Sequence, residues 1–85
     1  MKTIDLTRNP DPVRALQNAV LGIDGVKQNP PGTKIVYLQQ ETTWELWSSP
    51  VAKEAYRLYE IGACHLVQDI VSDSPRVYNY IVVMK

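Results

Sequence analysis

The segment SSPVAKEAYRLYEIGACHLVQ, from Ser48 to Gln68, decides how the chain folds. Ser49 is a typical helix N-cap and Pro50 suits the first helical position, so a helix is predicted to begin here. Gly62 permits two continuations, because glycine costs about 1 kcal/mol inside a helix but is favoured just after its end. A helix that ends at Gly62 leads into a β-hairpin, whereas a helix that continues to Val71 gives a different fold.

The end of the chain favours the first continuation. Residues Val77 to Met84, VYNYIVVM, are the most strand-like stretch of the sequence, and the turn residues Ser72 to Pro75 precede them. Such a strand needs a partner, and the nearest candidate is the stretch from His65 to Val71. We therefore predict that the helix ends at Gly62 and that a hairpin follows.

The first half of the chain predicts a short strand or arm, a helix and a second strand. Residues 1–10 include alternating apolar and polar side chains, which suit a short strand or an extended arm. A helix is predicted over 12–22, because Asp11 is a good N-cap and apolar residues recur at spacings of three and four. The run KIVYL, 34–38, is β-branched and apolar and predicts a buried strand.

The segment between that strand and Ser49 is ambiguous. Thr42 and Glu45 have the spacing of a capping box, and Trp44 and Trp47 lie three residues apart, as on one face of a helix. The same residues also have a strand-like composition. A short helix is slightly favoured, followed by a tight turn and the helix that begins at Ser49.

Composition excludes several classes of protein. The chain has 85 residues, and nine basic and nine acidic side chains give it no net charge, so a general attraction to nucleic acid or anionic membranes is not expected. A lone cysteine cannot form an internal disulfide, and no apolar run is long enough to span a membrane. These features predict one small α+β domain over 11–85 in the cytoplasm, with no membrane partner.

No pattern of residues indicates catalysis, a cofactor or a metal. Cys64 and His65 are the only residues of their kinds, and neighbours on a strand point to opposite faces, so they are not expected to form a nucleophile–base pair. The predicted roles are a buried thiol for Cys64 and a surface position for His65. We predict a non-enzymatic protein without catalytic residues, cofactor or metal.

With the break at Gly62, the stretch AYRLYEIGACHLVQ…VYNYIVV places a hairpin directly after a helix. This order of elements from residue 11 onward resembles the winged helix-turn-helix superfamily, in which a helix and a strand precede two helices and a hairpin wing. The resemblance implies that Pro50 to Ile61 is a recognition helix and that Ser72 to Arg76 is the wing tip. It further implies contacts of Lys53, Arg57 and Arg76 with duplex DNA.

The alternative fold follows if the helix runs on to Val71, and it has two helices packed on one antiparallel sheet. Such a module suggests binding to another protein or a homodimer. Trp44, Trp47, Tyr56 and Tyr59 could then form an aromatic surface for the partner.

The last strand carries apolar residues on both faces, with Tyr78 and Tyr80 on the same side. An 85-residue domain has little material to cover both faces, so we expect a homodimer formed through the sheet or through the tyrosine side. Two functions remain open. One is a regulatory, nucleic-acid-binding protein of phage or bacterial origin. The other is a non-catalytic interaction module, such as a phage-type inhibitor or an assembly subunit.

Overall fold

A computed structural model describes residues 3–23, 28–40 and 49–85 of the chain. The described elements are β1 (Thr3–Asp5), α1 (Pro12–Leu21), β2 (Lys34–Gln40), α2 (Pro50–Glu60), β3 (Cys64–Asp73) and β4 (Arg76–Met84). They form a four-stranded sheet in the order β1-β2-β4-β3. β1 is parallel to β2, whereas the other neighbouring strands are antiparallel. The predicted α+β class is confirmed, and β1 makes the sheet mixed.

Gly62 ends the decisive helix. Its φ of 82° is a left-handed conformation that residues with a Cβ rarely adopt. The Gly62 N–H donates to the Tyr59 carbonyl at 3.0 Å, and the Ala63 N–H donates to the Leu58 carbonyl at 3.0 Å, so carbonyls of the last turn are satisfied. β3 begins two residues later. The prediction of a break is confirmed and a helix to Val71 is wrong, although the alternative's arrangement of two helices on one sheet is observed, with a mixed sheet in place of an antiparallel one.

Both helices begin where their capping residues indicate. The Asp11 carboxylate accepts from the Arg14 backbone N–H at 3.2 Å, and the Ser49 hydroxyl accepts from the Ala52 backbone N–H at 3.4 Å. α1 ends one residue earlier than predicted, because Gly22 takes a left-handed φ of 68° and caps it through the Asn18 carbonyl. Each of these two helices thus begins at a proline and is followed by a glycine at or near its C-terminal end.

The hairpin of β3 and β4 is longer than the sequence indicates. Pairing is regular from Cys64 opposite Met84 to Ile70 opposite Tyr78, and the register shifts between Ile70 and Ser72. Ser72 and Asp73 belong to β3, so the turn comprises only Ser74 and Pro75. The predicted turn over Ser72 to Pro75 is corrected to its second half, because the bulge lets strand pairing continue past Ile70.

Both helices contribute to one core on the same face of the sheet. That core includes Leu16 of α1 and Leu58 of α2, together with Cys64, Tyr80 and Val82 of the sheet. Tyr80 is only 4% exposed. Tyr80 is therefore not available to a second copy, whereas Tyr78 is half-buried, and the expected homodimer stays a prediction.

The opposite face of the sheet carries a second set of apolar residues. Val36 and Ile81 are buried there but do not belong to the main core. The predicted short helix around Thr42 and Glu45, and Trp44 and Trp47, lie outside the described residues. Neither α1 nor α2 is long and apolar enough to cross a membrane.

Candidate interaction surface

The solvent side of α2 gathers four of the residues that the sequence singles out. Val51, Ala55 and Leu58 recur at helical spacing and are buried. Ala52 and Glu54 are buried as well, and after Pro50 the exposed residues of the helix are Lys53, Tyr56, Arg57, Tyr59 and Glu60. The structure thus brings the predicted DNA-binding residues of this helix and the predicted aromatic residues onto one surface.

Tyr56 and Tyr59 form a ring pair on this surface. They stand one helical turn apart, their ring centroids are 6.0 Å apart and their planes are tilted by 47°. The side chains are 40% and 45% exposed. Tyrosine combines a large apolar area with a polar tip and few rotatable bonds, which suits a binding surface. We refer to these two residues as the tyrosine pair.

Arg57 is engaged in an ion pair within the same chain. Its Nε and Nη2 donate to the two carboxylate oxygens of Glu54 at 2.6 Å and 2.8 Å. Gln17 of α1 donates to the same carboxylate at 2.5 Å, so the cluster joins the two helices. The hydrogen bonds from Arg57 hold the pKa of Glu54 below its usual range, although burial opposes this effect.

This cluster changes the interpretation of Arg57. The resemblance implies that Arg57 contacts DNA, yet the bidentate pair neutralises its charge and orients it toward Glu54. The sequence analysis does not single out Glu54. Its position three residues before Arg57 is the one feature of the sequence that predicts this ion pair on a helix. Gln17 carries no such signal, because only the tertiary fold places it beside Glu54.

Arg76 lies at the turn end of the hairpin and not on α2. It is the first residue of β4, and its guanidinium is 3.9 Å from the exposed Asp73 carboxylate. The structure therefore has Lys53 and Arg57 one turn apart on α2 but places Arg76 on a separate element.

The outer edge of β3 is a further candidate that the sequence did not reveal. Among the described strands, β3 pairs only with β4. Three of its apolar side chains are exposed, Val67 by 41%, Ile70 by 57% and Val71 by 51%. An exposed edge strand with apolar side chains is a ready template for a further strand. Sequence periodicity did not show this, because strand order is a tertiary property.

A cavity of about 370 Å³ lies where the two helices begin beside β2. Its lining is mainly apolar and includes Leu6, Val13, Tyr37 and Val51. Tyr37 itself is buried, and desolvation raises its pKa to about 12, with a smaller contribution from Tyr80. No described side chain places a charge in this cavity, so its lining offers shape and little chemistry.

Cys64 and His65 lie on opposite sides of β3. Burial raises the pKa of the Cys64 thiol, which keeps it in the protonated, weakly nucleophilic form. His65 is exposed on the other side of β3, as its neighbouring position on the strand predicts. Within the described residues, no three His, Cys, Asp or Glu side chains are close enough together to hold a metal ion.

Comparison with protein families, curated proteins and solved structures gives no match to this chain.

Proposed function

We propose that this protein is a non-catalytic module that binds another protein through the solvent side of α2. The observation that carries the proposal is the tyrosine pair, which presents two adjacent rings to solvent on a well-anchored helix. Tyrosine and arginine are enriched among the residues that dominate binding energy at protein interfaces. Lys53, Arg57 and Glu60 surround the pair and supply a polar rim of both charges.

The charge distribution supports a protein partner over a nucleic acid. The chain has no net charge, and on α2 the Arg57 guanidinium is bound to Glu54 while Glu60 is exposed beside it. Phosphate binding gains its energy from an excess of positive charge. A surface of mixed charge around two aromatic rings instead matches a partner with its own polar and apolar groups.

The second candidate is a regulatory protein of the winged-helix type, acting on duplex DNA in the cytoplasm of a bacterium or a phage-infected cell. The order of the described elements supports it, because α1 and β2 precede α2, and the β3–β4 hairpin follows directly. Lys53 would then contact phosphate from α2, and Arg76 would do so from the turn.

Peptide selection tests the first candidate. The immobilised chain is panned against a displayed library of random peptides, and enriched peptides are synthesised and titrated. We expect Tyr59→Ser to weaken their binding at least tenfold, because it removes one ring of the pair, while Arg8→Gln, at an exposed position outside α2, stays within about twofold. Failure to enrich any peptide, or peptides that bind Tyr59→Ser equally well, would contradict the proposal.

Fluorescence anisotropy of a labelled random duplex, at low and moderate salt, separates the two candidates. The interaction module predicts no binding at tens of micromolar protein. Saturable binding that weakens with salt and is reduced in Lys53→Ala would replace it with the nucleic-acid candidate. Gln68→Ala, on β3, serves as the control variant for nonspecific effects of substitution.

A further inference from the structure

We propose that two copies of this chain associate through the outer edges of their β3 strands, which pair antiparallel about a two-fold axis at Val67. This surface is distinct from the tyrosine pair, so the inference does not depend on the proposed function. The partner is a second copy, and the argument for it is the arrangement of complementary polar side chains along the edge.

The edge is built to accept a strand. From Cys64 to Ile70 the register with β4 is unbroken, so this part of β3 is regularly paired. Its outer edge contains no proline or lysine, two of the residues that natural sheets use to block further pairing, and its one acidic side chain is Asp69. The register shift after Ile70 limits regular pairing to this segment.

Symmetry restricts how two such edges can meet. Residues directly opposite each other in an antiparallel pair have side chains on the same face of the sheet. Successive residues of one strand point to opposite faces, so the two-fold axis must lie midway between one residue and its own copy in the other chain. The midpoint of the regular segment from Cys64 to Ile70 is Val67. An axis at Val67 therefore gives the longest regular pairing available to this edge.

The side chains select the same axis. With the axis at Val67, His65 of one copy lies opposite Asp69 of the other, and symmetry makes this contact twice. Moving the axis to Leu66 or Gln68 removes both contacts. An axis at Asp69 sets two carboxylates opposite each other, and the register shift after Ile70 interrupts the pairing that would bring His65 opposite Asp73. Within the regular segment, Val67 is therefore the axis that sets an imidazole N–H donor opposite a carboxylate acceptor, and cross-strand pairs of polar side chains stabilise a sheet.

The apolar residues of the outer face are continuous across this junction. Val36, Ile81 and Val67 lie side by side on neighbouring strands, because Ile81 pairs with each of the other two. The two-fold axis sets Val67 beside its own copy. The apolar row would then cross the junction unbroken, with the His65 and Asp69 contacts on either side of it.

A charge exchange tests the register. In sedimentation equilibrium we expect the wild type to form a species of about twice the 9.6 kDa chain mass. His65→Asp places two carboxylates opposite each other and should raise the dissociation constant at least tenfold. Adding Asp69→Lys to that variant restores opposite charges and should bring the constant back to within about threefold of the wild type.

Disulfide trapping provides a second test that does not depend on the charge variants. Opposed residues in an antiparallel pair have Cα atoms about 4.5 or 5.5 Å apart, within the range that a disulfide spans. Val67→Cys in a Cys64→Ala background should therefore give a covalent dimer on mild oxidation. Gln68→Cys in the same background is the matched control. The Cα atoms of its two copies would lie about 8 Å apart, because they are offset by two residues along the strands as well as by one strand spacing, and a disulfide does not span that distance.

Three outcomes would overturn the proposal. The first is a wild type that stays monomeric at several hundred micromolar. The second is a dimer that His65→Asp leaves intact, or that the double variant fails to restore. The third is equal trapping at positions 67 and 68. Tyr59→Ser should leave dimerisation unchanged, and a loss of the dimer in that variant would assign the contact to the tyrosine pair instead.

Discussion

Glu54 shows how one residue joins the two helices. Its carboxylate lies on the buried side of α2 and accepts hydrogen bonds from Arg57 on its own helix and Gln17 on α1. A buried carboxylate without partners would be costly, so the three donors are needed for it to remain ionised. Removing either partner leaves the carboxylate short of hydrogen bonds.

The first prediction concerns pH. Because the pKa of Glu54 is lower in the folded chain than its ordinary value of 4.5, ionised Glu54 stabilises the fold above that value, and this contribution is lost as pH falls through the folded pKa. Thermal unfolding of Glu54→Gln should therefore show a shallower loss of Tm below pH 4.5 than the wild type. Glu60→Gln, on the exposed side of the helix, is the control. Parallel pH profiles for the wild type and Glu54→Gln would contradict this role.

For Tyr80 we predict a substitution that stabilises the fold. Its hydroxyl is buried and has no hydrogen-bond partner among the described residues. An unpaired buried polar group costs roughly 1–3 kcal/mol, so Tyr80→Phe should raise the free energy of unfolding by about 1 kcal/mol. Tyr78→Phe, at a half-buried position of the same strand, should change it by less than about 0.5 kcal/mol. Urea titration measures both, and a destabilised Tyr80→Phe would mean that the hydroxyl is satisfied in solution.

The ends of the helices are where the sequence was most informative. Asp11, Ser49 and Gly62 have local chemistry that needs no tertiary contact, and each acts as predicted. The extension of β3 through Ser72 and Asp73 escaped prediction, because turn propensity competes there with strand pairing across a bulge. Local rules therefore located the elements, whereas pairing determined how far each strand runs.

The two helix-ending glycines differ in their surroundings, and this gives an element-level prediction. Both have positive φ, so alanine at either should cost about 1 kcal/mol. At Gly22 a Cβ would also lie 2.8 Å from the backbone nitrogen of Gln28, whereas nothing lies within 4 Å of a Cβ at Gly62. Gly22→Ala should therefore destabilise the chain clearly more than Gly62→Ala in urea titrations. Equal losses would show that the connection at Gln28 moves aside.

At the scale of the whole molecule, the order of strands determines which residues can act. The sequence indicated the exposed tyrosines of α2, because helical periodicity fixes which side chains face outward. It did not indicate the edge position of β3 or the burial of Tyr80, since both depend on β4 lying between β2 and β3. The tyrosine pair can therefore be predicted from helical periodicity in the sequence, whereas the outer edge of β3 is identified only once the strand order is known.

The position of Cys64 makes it a reporter of the whole fold. Its thiol is fully buried beneath the helices, and burial raises its pKa, so both access and reactivity are low in the folded chain. A thiol reagent at pH 8 should label it only as fast as the chain unfolds, and the labelling rate should rise with urea in step with unfolding. Lys53→Cys in a Cys64→Ala background, at an exposed position of α2, should label at least a hundredfold faster. Rapid labelling of native Cys64 without denaturant would mean that the hairpin and α2 separate without global unfolding.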